Sequence, residues 1–214
     1  ARRCADGPTP RAARGQRTVR ASAYLGCDGD GLTFDWPGRY RVVATHRCAD
    51  GTLLVSNIWT VRVLPPTTDD AVHAASLLLD PDVGMQLLLL GSDAPRLSRG
   101  LDRLTQLADE QPGTRLSGYA ELVLGMNLAR PFKTVRPDGR VDVRAAEPAR
   151  AAVQLDRMLD KALAPAASPL LDGVSLMMAL TARAGLARTD AASLPPNLGN
   201  RVDAHFRRRG ISRE

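Results

Sequence analysis

Residues 34–66, FDWPGRYRVVATHRCADGTLLVSNIWTVRVLPP, decide how the rest of the chain is read. Pro37-Gly38 is turn chemistry, because proline pre-sets φ and glycine accepts the geometry of a corner. After it, Tyr40, Val42, Ala44 and His46 alternate with Arg39, Arg41, Val43, Thr45 and Arg47. That period of two predicts a strand with one face covered. Cys48-Ala49-Asp50-Gly51-Thr52 is the next turn, with Asp-Gly as its hairpin signal. Residues 53–64 are predicted to return as one strand. Asn57, Trp59, Val61 and Val63 fall on one side of it, Ile58, Thr60, Arg62 and Leu64 on the other. Pro65-Pro66 cannot donate to a ladder and ends the sheet.

Outward from this hairpin the character changes. Residues before it are rich in turns, with Gly7-Pro8-Thr9-Pro10 in an irregular start and a strand candidate at 18–25. Residues after it are helical almost to the end. Thr67-Thr68-Asp69-Asp70 is a cluster of helix N-cap residues. A helix is predicted over 70–79, presenting Val72, Ala75, Leu78 and Leu79, and Asp80-Pro81-Asp82 stops it. Residues 83–90 form a second, apolar segment, and Ser92 or Asp93 caps a third helix with Leu97, Leu101, Leu104 and Leu107 at helical spacing. Pro112-Gly113 closes that helix, and Leu116 to Leu128 spell out the next. A polar β-like excursion follows at 132–145, turning at Pro137-Asp138-Gly139. Helices are then expected at 149–163, with Val153, Leu155, Leu159 and Leu163 on its apolar face, at 170–186, and at 197–209. The division implied is a β part at 1–66 and an all-α part of helical hairpins at 67–214.

The pattern F-x-x-P-G-R-Y-R-V-x-A, a short turn, S-N, then W-T-V-R-V and a proline resembles the last two strands of bacterial immunoglobulin-like domains. The resemblance covers about residues 17–64 and implies an antiparallel β-sandwich. Such a sandwich takes roughly seven strands, and about four are legible. The expectation is therefore an incomplete sandwich, in a fragment whose missing strands come from a separate chain, a cleaved piece or a preceding region; the alternative is a small, self-sufficient half-sandwich capped by the helices that follow. Residues 101–130 similarly resemble the junction of two tetratricopeptide-type repeats, with Pro112, Tyr119-Ala120 and Leu124-Gly125 as the features, and 152–185 echo them. The echo comes after about 51 residues, longer than that family's 34-residue period. It implies a helical-repeat architecture with a peptide- or protein-binding concavity.

Composition sets limits. The 214 residues, 44% of them hydrophobic, allow one large or two small domains with a real core. No run of 18 apolar residues exists, so no transmembrane helix is predicted. The net charge of +6 is uneven: 1–66 hold ten arginines against five aspartates, while 67–214 hold 19 basic and 18 acidic residues. The arginines are scattered and aromatic residues make up 4%, which leaves few platforms for stacking bases, so no nucleic-acid partner is expected.

Chemical motifs are mostly absent. His46, His73 and His205 lie in no metal-ligand spacing, and neither a nucleophile elbow, a phosphate loop nor a dinucleotide fingerprint is present. Asp28-Gly29-Asp30-Gly31 starts like a calcium loop, but its twelfth position is Arg39 instead of an acid. No catalytic, cofactor or metal residue is assigned. Cys4, Cys27 and Cys48 all lie in the β part, where two of them could pair as a disulfide. That placement favours a secreted or cell-surface setting and leaves a cytoplasmic one open. Trp59 and Tyr119 are the aromatic candidates for anchoring a partner, and Arg207, Arg208 and Arg209 are candidates for an acidic contact. The expected function is a non-catalytic structural or protein-binding module. The alternative is an accessory domain of a secreted hydrolase with its catalytic domain upstream.

Overall fold

The computed structural model describes residues 26–28, 31–164, 171–188 and 194–208. The chain divides into two compact units, Ala1–Leu79 and Asp80–Glu214. It is a mixed protein: 54% helical, with seven α-helices and four two-stranded antiparallel ladders among the described residues, none of them closed.

In the first unit β1 (Cys27–Asp28) pairs with β2 (Gly31–Leu32). The central hairpin follows, as β3 (Gly38–Val42), β4 (Thr45–Arg47), β5 (Leu53–Val55) and β6 (Trp59–Val63). β3 pairs with β6, bringing Tyr40 opposite Val61 and Val42 opposite Trp59, while β4 pairs with β5, bringing His46 opposite Leu54. Between the two ladders, residues 43–44 face residues 56–58, three against two. That extra residue is a β-bulge. It corrects the expectation of one uninterrupted return strand over 53–64. Ser56 is the cause: its hydroxyl accepts the Ala44 N–H at 2.9 Å, a donor that a regular ladder would give to a carbonyl. The unit ends in α1 (Asp69–Leu78), capped by Thr68, whose Oγ1 accepts from the Ala71 N–H at 3.2 Å. Its buried residues are Ala74 and Leu77, and Val72 and Leu79 are exposed, which corrects the predicted face. The described strands form small two-stranded antiparallel ladders, and the sandwich expected from the sequence is not shown among them. Its 18–25 strand candidate lies outside the described residues.

The second unit is a stack of helices. These are α2 (Pro81–Leu89), α3 (Ser98–Glu110), α4 (Arg115–Leu128), α5 (Pro148–Ala162), α6 (Gly173–Ala187) and α7 (Leu198–Arg208). Side-chain oxygens of Asp80, Thr114 and Asp172 accept the free amides that start α2, α4 and α6. From α2 to α6 each helix packs on its neighbours in sequence, and α4 also touches both α2 and α6. α4 is thus the central helix, touched by α2, α3, α5 and α6. The insertion between α4 and α5 is the antiparallel pair β7 (Phe132–Val135) and β8 (Val141–Arg144).

The core of this unit lies where α4, α5 and α6 meet. Leu155, Met158, Leu159 and Ala162 repeat at helical spacing and are buried together with Leu122, Leu176 and Ala179. Val153, counted in the apolar face from sequence, is exposed, because two residues on from or back from Leu155 lies the far side of the helix. Gly125 lets α4 and α5 approach: a Cβ there would stand 2.8 Å from Leu155 Cδ2. Gly91 serves twice. Its φ of +92° turns the chain out of α2, and a Cβ would meet Asn127 Cβ at 2.4 Å.

Candidate interaction surface

The hairpin's corner is tied by Tyr40. Its hydroxyl donates to the Trp36 carbonyl at 2.7 Å and accepts the Trp36 N–H at 3.2 Å, and its ring meets Phe34 edge-on at 5.0 Å. The corner therefore holds Pro37-Gly38 at the mouth of β3. At the other end, Asp50 Oδ1 accepts the Thr52 N–H at 2.9 Å, which holds its carboxyl below the usual value, and Gly51 takes a φ of +86° to close the turn.

Between these ends the β3–β6 ladder has two unlike faces. Cross-strand partners share a face, so Tyr40, Val42, Trp59, Val61 and Val63 stand together on one side. Arg39, Arg41, Thr60 and Arg62 stand together on the other. The alternation expected from the sequence holds across this ladder. On the apolar side Tyr40, Val42, Val61 and Val63 are only half-buried, and Trp59 is 66% exposed. Trp36, beside the corner, is 73% exposed, and Leu53, Leu54, Val55 and Ile58 are exposed as well. A soluble surface seldom leaves so much apolar area together. On the polar side Arg39 lies directly opposite Arg62. None of the Arg39, Arg41, Arg47 and Arg62 guanidinium groups has an ion-pair or hydrogen-bond partner among the described residues.

No known protein family matches the chain, and no curated protein or solved structure matches it. The chemistry of the surface has to be read from its own residues.

The other residues singled out from sequence are dispersed. Tyr119 lies half-buried on α4, and its hydroxyl donates to Asp172 Oδ2 at 2.6 Å, tying α4 to the start of α6. Burial and this bond both raise the Tyr119 hydroxyl above its ordinary value. Burial pushes the Asp172 carboxyl up, but donors from Tyr119, the Ser175 hydroxyl and the Ser175 and Val174 amides outweigh it and hold the group at about 2. Arg207 and Arg208 are exposed at the end of α7, Arg207 Nε donating to the Asp203 carbonyl at 3.3 Å, and Arg209 lies outside the described residues. No disulfide joins Cys27, which is buried, to Cys48, which is half-buried, and Cys4 lies outside the described residues. Among the described residues no cluster of three His, Cys, Asp or Glu side chains is placed to hold a metal ion. Among the described residues no helix is long and apolar enough to cross a membrane.

Sequence reasoning missed the polar groups inside the helical unit. Arg183 on α6 is 1% exposed and meets Asp156 on α5 through two bonds, Nε to Oδ1 at 2.8 Å and Nη2 to Oδ2 at 3.2 Å. Lys161 Nζ reaches buried Glu121 Oε1 at 2.5 Å, leaving Oε2 buried without a hydrogen bond. Arg144 at the end of β8 bonds Asp93 and the Asn127 carbonyl, and Arg130 donates to the carbonyls of Leu89, Leu90 and Gly91 that end α2. One signal was available: Arg183 is the only charge in the otherwise apolar run 173–187, and a lone charge in an apolar helix needs a buried partner.

Proposed function

We propose that the chain is a non-catalytic protein-binding module, in which an immunoglobulin-like β unit takes a strand from a partner protein and a helical-repeat unit carries it. The observation behind this reading is the apolar face of the β3–β6 ladder, half-covered around Tyr40, Val42, Val61 and Val63 and open at Trp59. In β-strand addition, main-chain bonds along a free sheet edge give affinity and alternate side chains give specificity. The outer edges of a two-stranded ladder, unpaired among the described residues, suit that mode, since a lone hairpin is marginally stable in water.

Two further features support the family part of the proposal. The Tyr40 hydroxyl tied back to Trp36 is the arrangement of the tyrosine corner that marks a late strand of immunoglobulin sandwiches. The packing of each helix from α2 to α6 on the next in sequence agrees with the way stacked helical pairs bury a continuous core. The setting proposed is a larger secreted or surface-associated bacterial protein, which agrees with cysteines confined to the β unit.

The test is native mass spectrometry of material purified from its own source without reductant, for the wild type and for Trp59→Lys. The wild type is expected to carry a second polypeptide in fixed ratio, lost from Trp59→Lys and kept by the control Val174→Lys, whose site is exposed on α6. A wild-type chain that travels alone contradicts the proposal.

A further inference from the structure

The arginine face of the hairpin defines the chemistry of the strand it accepts. Many arginines of the helical unit are committed to acids: Arg99 and Arg103 reach Asp80, Arg136 reaches Asp142, Arg144 reaches Asp93, Arg150 reaches Glu147 and Arg201 reaches Asp160. The hairpin gathers arginines that have no such acid among the described residues. Arg39 and Arg41 lie two residues apart on the same side of β3, and Arg62 lies across from Arg39. All three are exposed, with no acidic partner among the described residues. Like charges placed directly opposite in a ladder are destabilising. Negative charge added beside the arginines would relieve that repulsion.

β3 pairs with β6 along one edge, and its other edge is unpaired among the described residues. A strand laid on that edge would place every second side chain next to Arg39 and Arg41, at the cross-strand separation of about 5 Å between Cβ atoms. Its remaining side chains would stand next to Tyr40 and Val42 on the apolar face. We propose that the occupant of the β3 edge is an extended partner segment in which Asp or Glu alternates with large apolar residues, the acids answering Arg39 and Arg41 and the apolar residues covering Tyr40 and Val42. β3 is the edge assigned because it carries two arginines on one face, while β6 carries Arg62 alone. This rests on the strand-addition reading above and specifies its partner.

The probes are the peptide Val-Glu-Val-Glu-Val-Glu-Val, its glutamine counterpart and its lysine counterpart, each added to the full chain. Binding is followed by the fluorescence of Trp36 and Trp59, the two tryptophans of the protein, both in this hairpin. The glutamate peptide is expected to bind about tenfold tighter than the glutamine peptide at low salt, the sum of a few exposed charge pairs. The gap should shrink to about twofold or less in about 0.5 M salt, where exposed charges are screened. The lysine peptide should not bind. Arg39→Gln with Arg41→Gln should erase the preference while leaving the glutamine peptide's affinity unchanged, and Arg62→Gln should leave the preference in place. Equal binding of the glutamate and glutamine peptides would overturn the acidic partner and leave strand addition standing. Binding by neither peptide would overturn both. A preference that survives in the Arg39→Gln, Arg41→Gln variant would overturn the assignment to β3.

Discussion

Arg183 in the helical unit and Arg39 in the hairpin are the same residue type in opposite situations. Arg183 is buried on α6 with both nitrogens of its fork answered by Asp156, whereas Arg39 stands in solvent facing Arg62. The apolar residues divide in the same way. Leu155 and Met158 are fully covered by helices of their own chain, but Trp59 and Val61 share a face that their own ladder leaves partly open. The helical unit thus covers a continuous apolar core and pairs the charge buried in it, although Val153 and Val174 stay exposed and Glu121 Oε2 stays without a hydrogen bond. The hairpin has an ordered backbone and a tied corner, yet both its faces present groups that another surface would complement. The contrast separates a scaffold from a docking element.

The largest test of that contrast is the core. Leu155→Ala should lower the stability of the helical unit by about 4 kcal/mol, because a fully buried leucine leaves a cavity as well as losing its transfer energy. Trp59→Ala, removing a bigger side chain from an exposed site, should cost under about 0.5 kcal/mol. Urea unfolding followed by far-ultraviolet circular dichroism checks both. A Trp59→Ala cost near that of Leu155→Ala would mean that the apolar face is already covered.

Next is the buried ion pair. Asp156→Ala removes the carboxylate that answers a buried guanidinium and should cost about 3 kcal/mol, whereas the double change Asp156→Leu with Arg183→Met should recover most of it. The same unfolding curves measure the recovery. Failure to recover would show that Arg183 holds more than Asp156 in place.

A smaller effect is expected where α4 meets α6. Tyr119→Phe removes one donor to Asp172 and should cost about 1 kcal/mol at neutral pH. The carboxyl of Asp172 is held at about 2 against an ordinary 3.8, so its contribution is complete above pH 3.8 and is lost as pH falls toward 2. Because the group is partly in solvent, that contribution is about 1 kcal/mol after screening. The acid-induced loss of stability between those values should therefore be shallower in Tyr119→Phe, and an unchanged acid limb would exclude the bond as its source.

The smallest effect carries the opposite sign. Arg62→Gln removes a like-charge neighbour from Arg39 and should leave the free hairpin unchanged or more stable by about 0.3 kcal/mol. Destabilisation by 1 kcal/mol or more, seen in thermal unfolding monitored by tryptophan fluorescence, would reveal an acidic partner already in place.

Much of this layout was legible in the residues. Helix stops and starts such as Asp80-Pro81 and Pro112-Gly113 act locally, through a missing donor or a side-chain cap, and the helices fall where those signals stand, whereas the cap at Asp172 went unread. The alternation of Tyr40 and Val42 with Arg39 and Arg41 is likewise a local property of an extended chain, and it placed the two faces of the β3–β6 ladder. The bulge at Ser56 escaped notice because it depends on which donor wins a competition across the hairpin, between residues 12 apart. The faces of α1 and α5 were misjudged at Val72 and Val153 for a similar reason: hydrophobicity does not say which apolar residue the neighbouring elements cover. Arg183–Asp156 and Lys161–Glu121 join residues 27 and 40 positions apart, and no spacing rule within one helix reports such pairs.

The most direct test of the docking role is amide hydrogen exchange of the full chain, alone and with Val-Glu-Val-Glu-Val-Glu-Val. In the free chain the amides of β3 should exchange rapidly while those of α4 and α5 are protected, and the peptide should slow β3 by about tenfold without changing the helices. Amides of β3 already as protected in the free chain as those of α5, and unmoved by the peptide, would contradict the account.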